Sequence, residues 1–257
     1  MLDRITPLVI TFNEAPNIGR TLERLAWARE VVVLDSCSTD ETAQIVARFP
    51  NARLVSNPFT TLAGQWNFGL QHCGITTDWV LALDADYVLT DGFIDELRSL
   101  QSDAAASGYR ASFRYCVNGV PLRSGAYPPV VVLFRRELTH VEQDGHCQRA
   151  RVSGAVAELH QVIDHDDRKP IARWLASQSS YMRLEVEKLA RAESSSLATI
   201  DRLRKMIVVA PAAMFVYCYV VRGGILDGVP GLMYAMQRAA AEVILSLYLL
   251  ERRLGVR

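Results

Sequence analysis

Short apolar runs alternate with helix-period segments through the first hundred residues, and this alternation constrains the fold more than any other feature. The runs are Leu8 to Thr11, Val31 to Leu34 and Val80 to Leu83, each too short for a helix. Between and after them, apolar residues recur at helical spacing, as in Thr42 to Phe49 and Phe93 to Leu100. The pattern predicts βαβ units on a mostly parallel sheet.

The pattern changes twice further along the chain. From about 108 to 137 it favours antiparallel strands, with a hairpin turn at Asn118-Gly119, and predicts an antiparallel edge added to the sheet. After Lys169 the spacing of apolar residues is helical again. We therefore expect a catalytic domain over residues 1–165 and a helical extension over residues 166–257.

Bulk composition excludes several classes of protein. The 28 basic and 28 acidic side chains cancel, so no overall charge indicates a nucleic acid partner. The five cysteines are scattered and lack the C-x-x-C spacing of a zinc or redox site, which favours reduced thiols in a cytoplasm. The first residues lack the basic and apolar regions of a signal peptide, so we expect a protein that is not exported.

Two carboxylates, Asp84 and Asp86, directly follow the third apolar run. In an open α/β sheet, ligands bind beyond the carboxyl ends of the strands. Two carboxylates held close together repel each other unless a divalent cation with its phosphate ligands lies between them. The alternative is that one Asp caps the next turn while the other is solvated.

Polar side chains also follow the other predicted strands, where the same rule places ligand contacts. They are Thr11, Asn13 and Glu14 after the first strand, Asp35, Ser36, Ser38 and Asp40 after the second, and Gln65 and Asn67 in "GQWNFG". Helix capping is an alternative for Ser38 and Asp40, because Ser38 and Glu41 fit an S-x-x-E capping box.

Two of these stretches resemble a known family. The residues "ITFNEAPNIGRTLERLAWAREVVVLDSCSTDET" and "DWVLALDADYVL" are similar to the nucleotide-sugar domain of family 2 inverting glycosyltransferases, especially the branch that builds lipopolysaccharide cores and other bacterial surface glycans. The resemblance covers about residues 5–100 and continues more loosely through "DGHCQR", "HDDRKPIARWLASQSSY" and "GGILDGVPG". It implies a Rossmann-like, GT-A type α/β fold with a mixed sheet, followed here by a helical, apolar C-terminal extension.

The resemblance also implies roles for the polar clusters. Asp84 and Asp86 would hold Mg²⁺ or Mn²⁺ against the diphosphate of a nucleotide-sugar donor, where the metal acts as a Lewis acid on the leaving group. Further donor contacts would come from Thr11, Asn13, Glu14, Asp35, Gln65 and Asn67, with Asp35 accepting a hydrogen bond from the base, commonly uracil. Many relatives carry Glu directly after the Asp pair, whereas this chain has Tyr87.

An inverting transfer needs a base for the proton of the acceptor hydroxyl. The candidates are Glu142, Asp144 and Glu158. We favour Asp144, because "QDGHCQ" predicts a flexible, Gly-containing loop where the family places its base, although a simple Asp-Gly turn is the alternative.

Other polar residues downstream have less specific signals. His146 and His165 are candidates for orienting or metal-proximal groups. The run from Asp166 to Lys169 before Pro170 either begins a helix or clamps phosphate through Arg168 and Lys169.

The C-terminal third is apolar without forming a clear membrane span. Residues 206–221 carry no charge but are fewer than the ~20 needed to cross a bilayer, and residues 230–250 are interrupted by Gln237, Arg238 and Glu242. Short apolar stretches edged by Arg favour helices lying in the membrane interface. We expect peripheral association with the inner face of the cell membrane, near a lipid-linked or glycan acceptor; a packed helical hairpin or a homo-oligomer interface is the alternative.

The rival functions are a nucleotidyltransferase, a dinucleotide-dependent oxidoreductase and an inactive scaffold. A nucleotidyltransferase normally has a Gly-rich phosphate loop after the first strand, and the stretch "TFNEAPN" contains no glycine. A dinucleotide-dependent oxidoreductase wants G-x-G-x-x-G after a strand, which is absent. A catalytically inactive, membrane-associated nucleotide-sugar-binding scaffold stays open because of Tyr87, although Asp84 and Asp86 speak against it.

Overall fold

The computed structural model describes residues 1–101, 105–144, 147–191 and 199–255. Contacts divide the chain into two units. The sheet unit comprises Met1–Cys116 and Tyr127–Arg168, and the helical unit comprises Val117–Ala126 and Lys169–Arg257. His146 lies outside the described residues.

The described strands and helices follow one another along the chain. The strands are β1 (Ile5–Thr11), β2 (Val31–Asp35), β3 (Ala52–Ser56), β4 (Trp79–Asp84), β5 (Tyr87–Leu89), β6 (Ala106–Val117), β7 (Val120–Pro121), β8 (Val130–Arg135), β9 (Thr139–Asp144), β10 (Cys147–Val152) and β11 (Ala155–His165). The helices are α1 (Ile18–Glu23), α2 (Thr42–Val46), α3 (Leu62–His72), α4 (Asp91–Ser99), α5 (Ile171–Arg191), α6 (Thr199–Lys205), α7 (Val209–Val216) and α8 (Gly228–Arg253). A π-helical turn, Tyr217–Val221, follows α7, and a 3₁₀ turn, Gly224–Asp227, precedes α8.

The main sheet is mixed, in the order β3-β2-β1-β4-β8-β6-β11-β5. Strands β1 to β4 are parallel, which confirms the prediction for β1, β2 and β4, whereas β3 was not among the predicted apolar runs. Strand β8 runs antiparallel to both β4 and β6, and β11 runs parallel to β6 and antiparallel to β5. Strands β9 and β10 form a separate hairpin.

The predicted antiparallel segment is present, but its predicted position at the edge of the sheet is wrong. Strands β8 and β6 lie inside the sheet, because β11 pairs with β6 and β5 follows β11. The turn at Asn118 and Gly119 is confirmed, with φ of 52° and 82°, the positive angles that a two-residue hairpin turn requires.

Both faces of β1, β2 and β4 are buried, which explains why their sequences are mostly apolar rather than alternating, whereas β3 at the edge of the sheet is only partly buried. On one face, Val9 and Val33 pack with residues of α1 and α4, including Phe93. On the other face, Leu8 and Leu34 pack with α3. Each fully buried aliphatic side chain contributes roughly 1.5–3 kcal/mol, so the two layers fix the register of the strands and the position of their ends.

The helical unit has its own small core. Met182, Val186 and Leu189 of α5 pack against Leu245 of α8. Among the helices of the described ranges, no single one is long and apolar enough to cross a bilayer, but Val209–Val221 and Gly224–Arg253 satisfy length and composition together, as a pair bent by 66°.

Candidate active site

The ends of three parallel strands bring the predicted polar residues to one edge of the sheet. Thr11 pairs in register with Asp35, and Ile10 pairs with Asp84. Thr11 and Asp35 are buried, at 4% and 3% exposure. The strand-end rule therefore places these side chains together, although the residues themselves lie far apart in the sequence.

Asp35 organises the loop that follows β2. Its carboxylate accepts hydrogen bonds from the Ser38 amide, at 2.8 Å, and from the Ser38 hydroxyl. The Ser38 Oγ in turn accepts the Asn13 amide at 2.6 Å, and Asn13 Oδ1 accepts the Thr39 amide at 2.7 Å. Asn13 has a φ of 55°, a left-handed conformation that Asn tolerates.

The capping box predicted at Ser38 and Glu41 is wrong. Helix α2 begins at Thr42 with Glu41 as its N-cap residue, and the Glu41 side chain makes no capping hydrogen bond. Ser38 is engaged with Asp35 and Asn13 instead, because the loop joins two strand ends before the helix begins. Asp40 does accept the Thr42 amide at 3.0 Å, so local capping accounts for part of its role.

Glu14 belongs to a polar network that the sequence does not reveal. Asn17, fully buried, donates to Glu14 Oε2 at 2.8 Å and to Asp167 Oδ1 at 2.9 Å. Its Oδ1 accepts from the Arg168 amide at 3.0 Å and from Arg20 at 2.7 Å. This one amide therefore joins the segment after β1 to the segment after β11.

Asp86 meets His165 across the sheet. The His165 Nε2 lies 3.3 Å from Asp86 Oδ2, and Asp86 is only 8% exposed. Burial lowers the pKa of His165. The charge and the hydrogen bond of Asp86 raise this pKa by more than burial lowers it, so it lies above its ordinary value. The pair occupies the place where the chain leaves β4 and where β11 ends.

Aromatic rings surround His165. Its ring centroid lies 5.4 Å from that of Tyr87, 4.9 Å from that of Tyr115 and 4.9 Å from that of Tyr127, each in an edge-on arrangement. The Tyr87 and Tyr127 hydroxyls are 2.7 Å apart. Burial, followed by the charge of Asp84, raises the pKa of Tyr87 well above its usual range, so its phenol stays protonated. Tyr87 is thus a packing residue that supports His165.

A second ion pair lies directly behind Asp86. The Asp166 amide donates to the Asp86 carbonyl at 3.0 Å, and Arg20 Nη1 lies 2.6 Å from Asp166 Oδ2. Arg168 contacts the same carboxylate oxygen through Nε at 2.9 Å. Burial lowers the pKa of Arg20, only partly offset by Asp166. The "HDDR" run is thus an extension of β11 that holds α1, rather than the beginning of a helix, which starts at Ile171.

Gln65 and Asn67 lie on α3 and make structural hydrogen bonds. Gln65, 1% exposed, donates to Ser36 Oγ at 2.9 Å and accepts from Asn57 at 2.8 Å. Asn67 holds β9 through both backbone groups of Val141, donating to its carbonyl at 2.8 Å and accepting from its amide at 2.9 Å. Gln65 reaches the loop after β2, whereas the amide of Asn67 is occupied by β9.

The three candidate bases all form ion pairs. Asp144 contacts Arg149 at 2.7 Å, Glu142 contacts Arg151 at 2.7 Å, and Glu158 contacts Arg110 at 2.7 Å. The loop predicted for Asp144 is wrong in one respect, since Asp144 is the last residue of β9. Hydrogen bonds from Arg151 and His140 lower the pKa of Glu142, which makes it a weaker base.

The carboxylates at the edge of the sheet suit a cation that takes its remaining ligands from phosphate and water. Within the described ranges, no three His, Cys, Asp or Glu side chains are grouped closely enough to form a metal cage. Mg²⁺ needs no such cage in nucleotide sites, because one or two carboxylates suffice when phosphate and water supply the other ligands. Asp84 and Asp86, with His165 against the second carboxylate, fit that type of site.

The sequence did not single out Asn17 and Arg20 as members of the site. It also did not indicate that Asp166 is buried. A polar residue at helical spacing among apolar ones, as Asn17 and Arg20 are beside Ile18 and Leu22, is a weak signal for a buried network. Their partners lie 146 to 151 residues away, so no local pattern reports the contact.

Comparison of the chain with known proteins agrees with this architecture. The fold is similar to that of S. aureus TarS residues 1–349 in complex with UDP-GlcNAc, with a TM-score of 0.51 and 15% identity, over 98% of this chain and 92% of that one. TarS 1–349 alone gives a TM-score of 0.50 over the same shares. The likeness identifies the fold as the GT-A type.

Sequence relatives point the same way. A Rickettsia felis protein called an uncharacterized glycosyltransferase is 34% identical over 97 residues, which are 37% of this chain and 33% of that protein. The Rhizobium meliloti lipopolysaccharide core biosynthesis glycosyltransferase LpsC is 34% identical over 140 residues, 52% of this chain and 49% of LpsC. The match thus spans about a third to a half of the length of these relatives. The model of glycosyl transferase family 2 matches residues 8–145, more than half of the chain, and the chain therefore belongs to glycosyl transferase family 2.

Proposed function

We propose that this protein transfers a sugar from a nucleoside diphosphate donor, UDP-linked in the first instance, to a hydroxyl of a lipid-linked or surface-glycan acceptor, with inversion and with Mg²⁺ or Mn²⁺. The observation that carries the proposal is that Asp35 and Asp84, with Asp86 two residues after the end of β4, lie at the carboxyl ends of neighbouring parallel strands of the mixed sheet. Membership of family 2 supports the reaction class.

Donor recognition begins at the loops after β1 and β2. We assign the nucleoside to Thr11, Asn13, Glu14 and Asp35. The Asp35 carboxylate already accepts the amide of Ser38 at 2.8 Å. A carboxylate has about four acceptor positions, so Asp35 keeps capacity for an N–H of the base. The hydrogen bonds of Ser38 and Asn13 hold both loops in place before the donor arrives.

The diphosphate belongs beside Asp84 and Asp86. These carboxylates would hold the divalent cation, which when bound supplies Lewis-acid stabilisation of the leaving nucleoside diphosphate. His165 orients Asp86 from the opposite side at 3.3 Å, and the aromatic rings around the imidazole limit its movement. Arg20 and Arg168 compensate the charge of Asp166 behind the site, so Asp86 is not faced by a second unpaired carboxylate.

We assign the acceptor proton to Asp144. As the acceptor oxygen forms its bond to the anomeric carbon, the bond from that carbon to the diphosphate breaks on the opposite face, and a carboxylate takes the hydroxyl proton. The ion pair with Arg149, at 2.7 Å, holds the Asp144 side chain at the end of β9. Glu142 is the weaker candidate, because its pKa is lowered.

The acceptor and its location are inferred from relatives and composition. LpsC, which matches 52% of this chain, acts in lipopolysaccharide core biosynthesis, as its name states. A lipid-linked acceptor places the enzyme at the inner face of the cell membrane. The apolar helical unit suits peripheral attachment there.

The test is a panel of nucleotide sugars incubated with the purified protein, reading nucleoside diphosphate release with and without Mn²⁺. We expect metal-dependent release with one donor, and its loss in Asp86→Asn. The matched control is Asp91→Asn, because the Asp91 side chain is 89% exposed and its partner, Arg24, lies outside the proposed pocket. Calorimetry with UDP and Mn²⁺ adds a second readout. Binding without turnover of any donor or acceptor favours the inactive scaffold, and the absence of both contradicts the proposal.

A further inference from the structure

Helix α8 has an inverted polarity. Its outward side is apolar from Val229 to Leu250, whereas its buried side includes Glu242 and Ser246, at 2% and 8% exposure. We call the exposed row the α8 stripe: Val229, Leu232, Met233, Met236, Val243, Leu247 and Leu250, with exposures between 37% and 79%. The spacing of three and four residues places them along one side of the helix. A helix in water shows the opposite distribution.

The charges of this region face inward. Between Gly228 and Leu250 the only charged residues are Arg238 and Glu242. Arg204 Nη2 lies 2.8 Å from Glu242 Oε1, and Arg204 is also 3.9 Å from the buried Glu185. Ser246 donates to the Ile207 carbonyl at 2.7 Å. Polar groups thus hold the helical unit together from inside while aliphatic side chains line the exposed side of α8, the arrangement that a hydrocarbon environment favours.

The turn before α8 adds a projecting apolar tip. Val221, Ile225, Leu226 and Val229 are 69%, 59%, 71% and 79% exposed. We call Val221–Val229 the corner; it lies at the 66° bend between the two apolar segments. Four large aliphatic side chains exposed within nine residues form a contiguous apolar feature rather than isolated surface residues.

The corner is rigidly built. Asp227 accepts the Ser124 amide at 3.0 Å and the Ser124 hydroxyl at 2.8 Å, and Arg222 donates to the Gly125 carbonyl at 2.7 Å. Gly223 has a φ of 78°, and a Cβ on Gly231 would lie 2.1 Å from the Gly224 carbonyl oxygen. Contacts within the helical unit therefore hold the tip in a fixed shape.

Basic residues flank the apolar surface. Arg222 lies at the corner, and Arg252 and Arg253 lie at the far end of α8, all exposed. From residue 199 onward the chain carries eight basic and four acidic side chains, a formal excess of four positive charges. This distribution complements anionic headgroups and favours a bilayer over a second copy of the same positively charged surface.

We propose that the corner and the α8 stripe form a monotopic membrane-binding surface that enters one leaflet of an anionic bilayer without crossing it. The 26 residues of α8 extend over about 39 Å, so the stripe is as long as a typical interfacial helix. Arg222, Arg252 and Arg253 lie at headgroup level. The inference deepens the membrane part of the proposed function, on which it rests only for the identity of the membrane.

The grooves beside the stripe suit lipid chains. An open groove of about 480 Å³ is lined entirely by Pro211, Ala212, Phe215, Val216, Met236 and Ala239. It lies between α7 and α8 and includes Met236 of the stripe. An acyl chain fills such a groove without leaving polar atoms unpaired.

Vesicle flotation of the full chain tests the proposal. We expect the wild type to float with vesicles of phosphatidylglycerol and phosphatidylethanolamine, and more weakly with pure phosphatidylcholine. Leu226→Asp at the corner and Val243→Glu on the stripe should each weaken binding at least about tenfold, because a charge entering hydrocarbon costs more than 1.4 kcal/mol. The matched control, Phe59→Asp, removes an exposed aromatic of the sheet unit that is 56% exposed and should float like the wild type.

Three outcomes overturn it: no flotation of the wild type, equal flotation of all variants, or a lipid-free dimer that Val243→Glu dissociates, which makes a second copy the occupant. Circular dichroism and thermal unfolding verify that each variant is folded. UDP binding, measured on the same samples, is expected to be unchanged. A wild-type protein that floats but does not bind UDP would reject the proposed function alone. A wild-type protein that binds UDP but does not float would reject the membrane surface alone.

Discussion

The imidazole of His165 lies 3.3 Å from the carboxylate of Asp86, and this contact joins the end of β4 to the end of β11. Asp86 also accepts the Asp166 amide through its own carbonyl at 3.0 Å. Two consecutive residues of β11 and its extension thus hold both the side chain and the backbone of the second motif carboxylate. A carboxylate held in this way keeps a fixed orientation, as the proposed role beside the diphosphate requires.

His165→Gln is expected to weaken Mn²⁺-dependent UDP binding about 10-fold to 100-fold, the range found when a group supporting a metal ligand is removed. Titration calorimetry with UDP, with and without Mn²⁺, measures the change. His160→Gln is the control, because His160 lies on the same strand and is exposed. Equal loss in both variants would mean that β11 is merely distorted.

Tyr87→Phe is expected to lower the free energy of unfolding by about 1 kcal/mol, because it removes the hydroxyl 2.7 Å from that of Tyr127. Tyr87→Glu, which introduces the residue many relatives carry, should cost several kcal/mol, since it places a carboxylate in an aromatic cluster beside Asp84 and Asp86. Chemical denaturation of the two variants measures the difference. A Glu variant as stable as the wild type would contradict the packing role.

Asn67→Ala should destabilise the fold by about 1–3 kcal/mol for each Val141 backbone group left without its partner. Asn67→Asp keeps the acceptor for the Val141 amide but places a carboxylate oxygen against the Val141 carbonyl oxygen, so it should lose at least as much. Thermal unfolding ranks the two variants, and UDP titration separates stability from donor contact. If Asn67→Asp unfolds at the same temperature as the wild type but binds UDP more weakly, the result would support the predicted role of Asn67 in the pocket.

Gly231→Ala should cost about 1–3 kcal/mol, because the added methyl would lie 2.1 Å from the Gly224 carbonyl oxygen. The control is Gly19→Ala, another helical glycine, whose added methyl meets Ile45 at 3.5 Å and should be neutral or stabilising by about 0.4–1 kcal/mol. Thermal unfolding followed by circular dichroism compares them, and similar melting temperatures would argue against a tightly packed corner.

Asp227 should contribute stability that disappears in acid. Burial raises its pKa, but the amide and hydroxyl of Ser124 and the Arg123 amide outweigh burial and lower it. A lowered pKa stabilises the folded state above the unfolded value of about 3.9 and loses that effect as pH falls. Asp227→Asn should therefore melt below the wild type at pH 7 and converge with it toward pH 3. The expected difference is small, since the carboxylate is partly open to water.

Strands β1, β2 and β4 were predictable because both of their faces are buried, so each is a short apolar run, whereas the partly buried β3 was missed. Strand β11 was not predictable, since only Leu159 and Ile163 among its side chains are buried and its sequence has neither an apolar run nor regular alternation. Its position between β6 and β5 depends on pairing that no local pattern encodes. The interior position of β8 and β6 was missed for the same reason.

The candidate site divides in the same way. Thr11, Asp35 and Asp84 follow from the strand-end rule, because parallel strands bring their carboxyl ends to one edge. Asn17 and Arg20 do not follow from it, since their partners are supplied by the segment after β11. The capping box at Ser38 failed because a nearby tertiary partner, Asn13, competes for the same hydroxyl.

The position of β5 at the end of the sheet has a consequence for synthesis. Strand β5 pairs with β11, and Asp86 is separated from His165 by 79 residues, so the ribosome releases both carboxylates of the motif well before their support exists. Until β11 emerges, β5 lacks the strand it pairs with in the described structure, and an unpaired strand invites wrong pairing. A nascent chain that ends before Ala155 therefore has its apolar parallel strands but lacks His165 beside Asp86, so under the proposed function a nucleotide stabilises the protein only once almost the whole sheet unit has been translated.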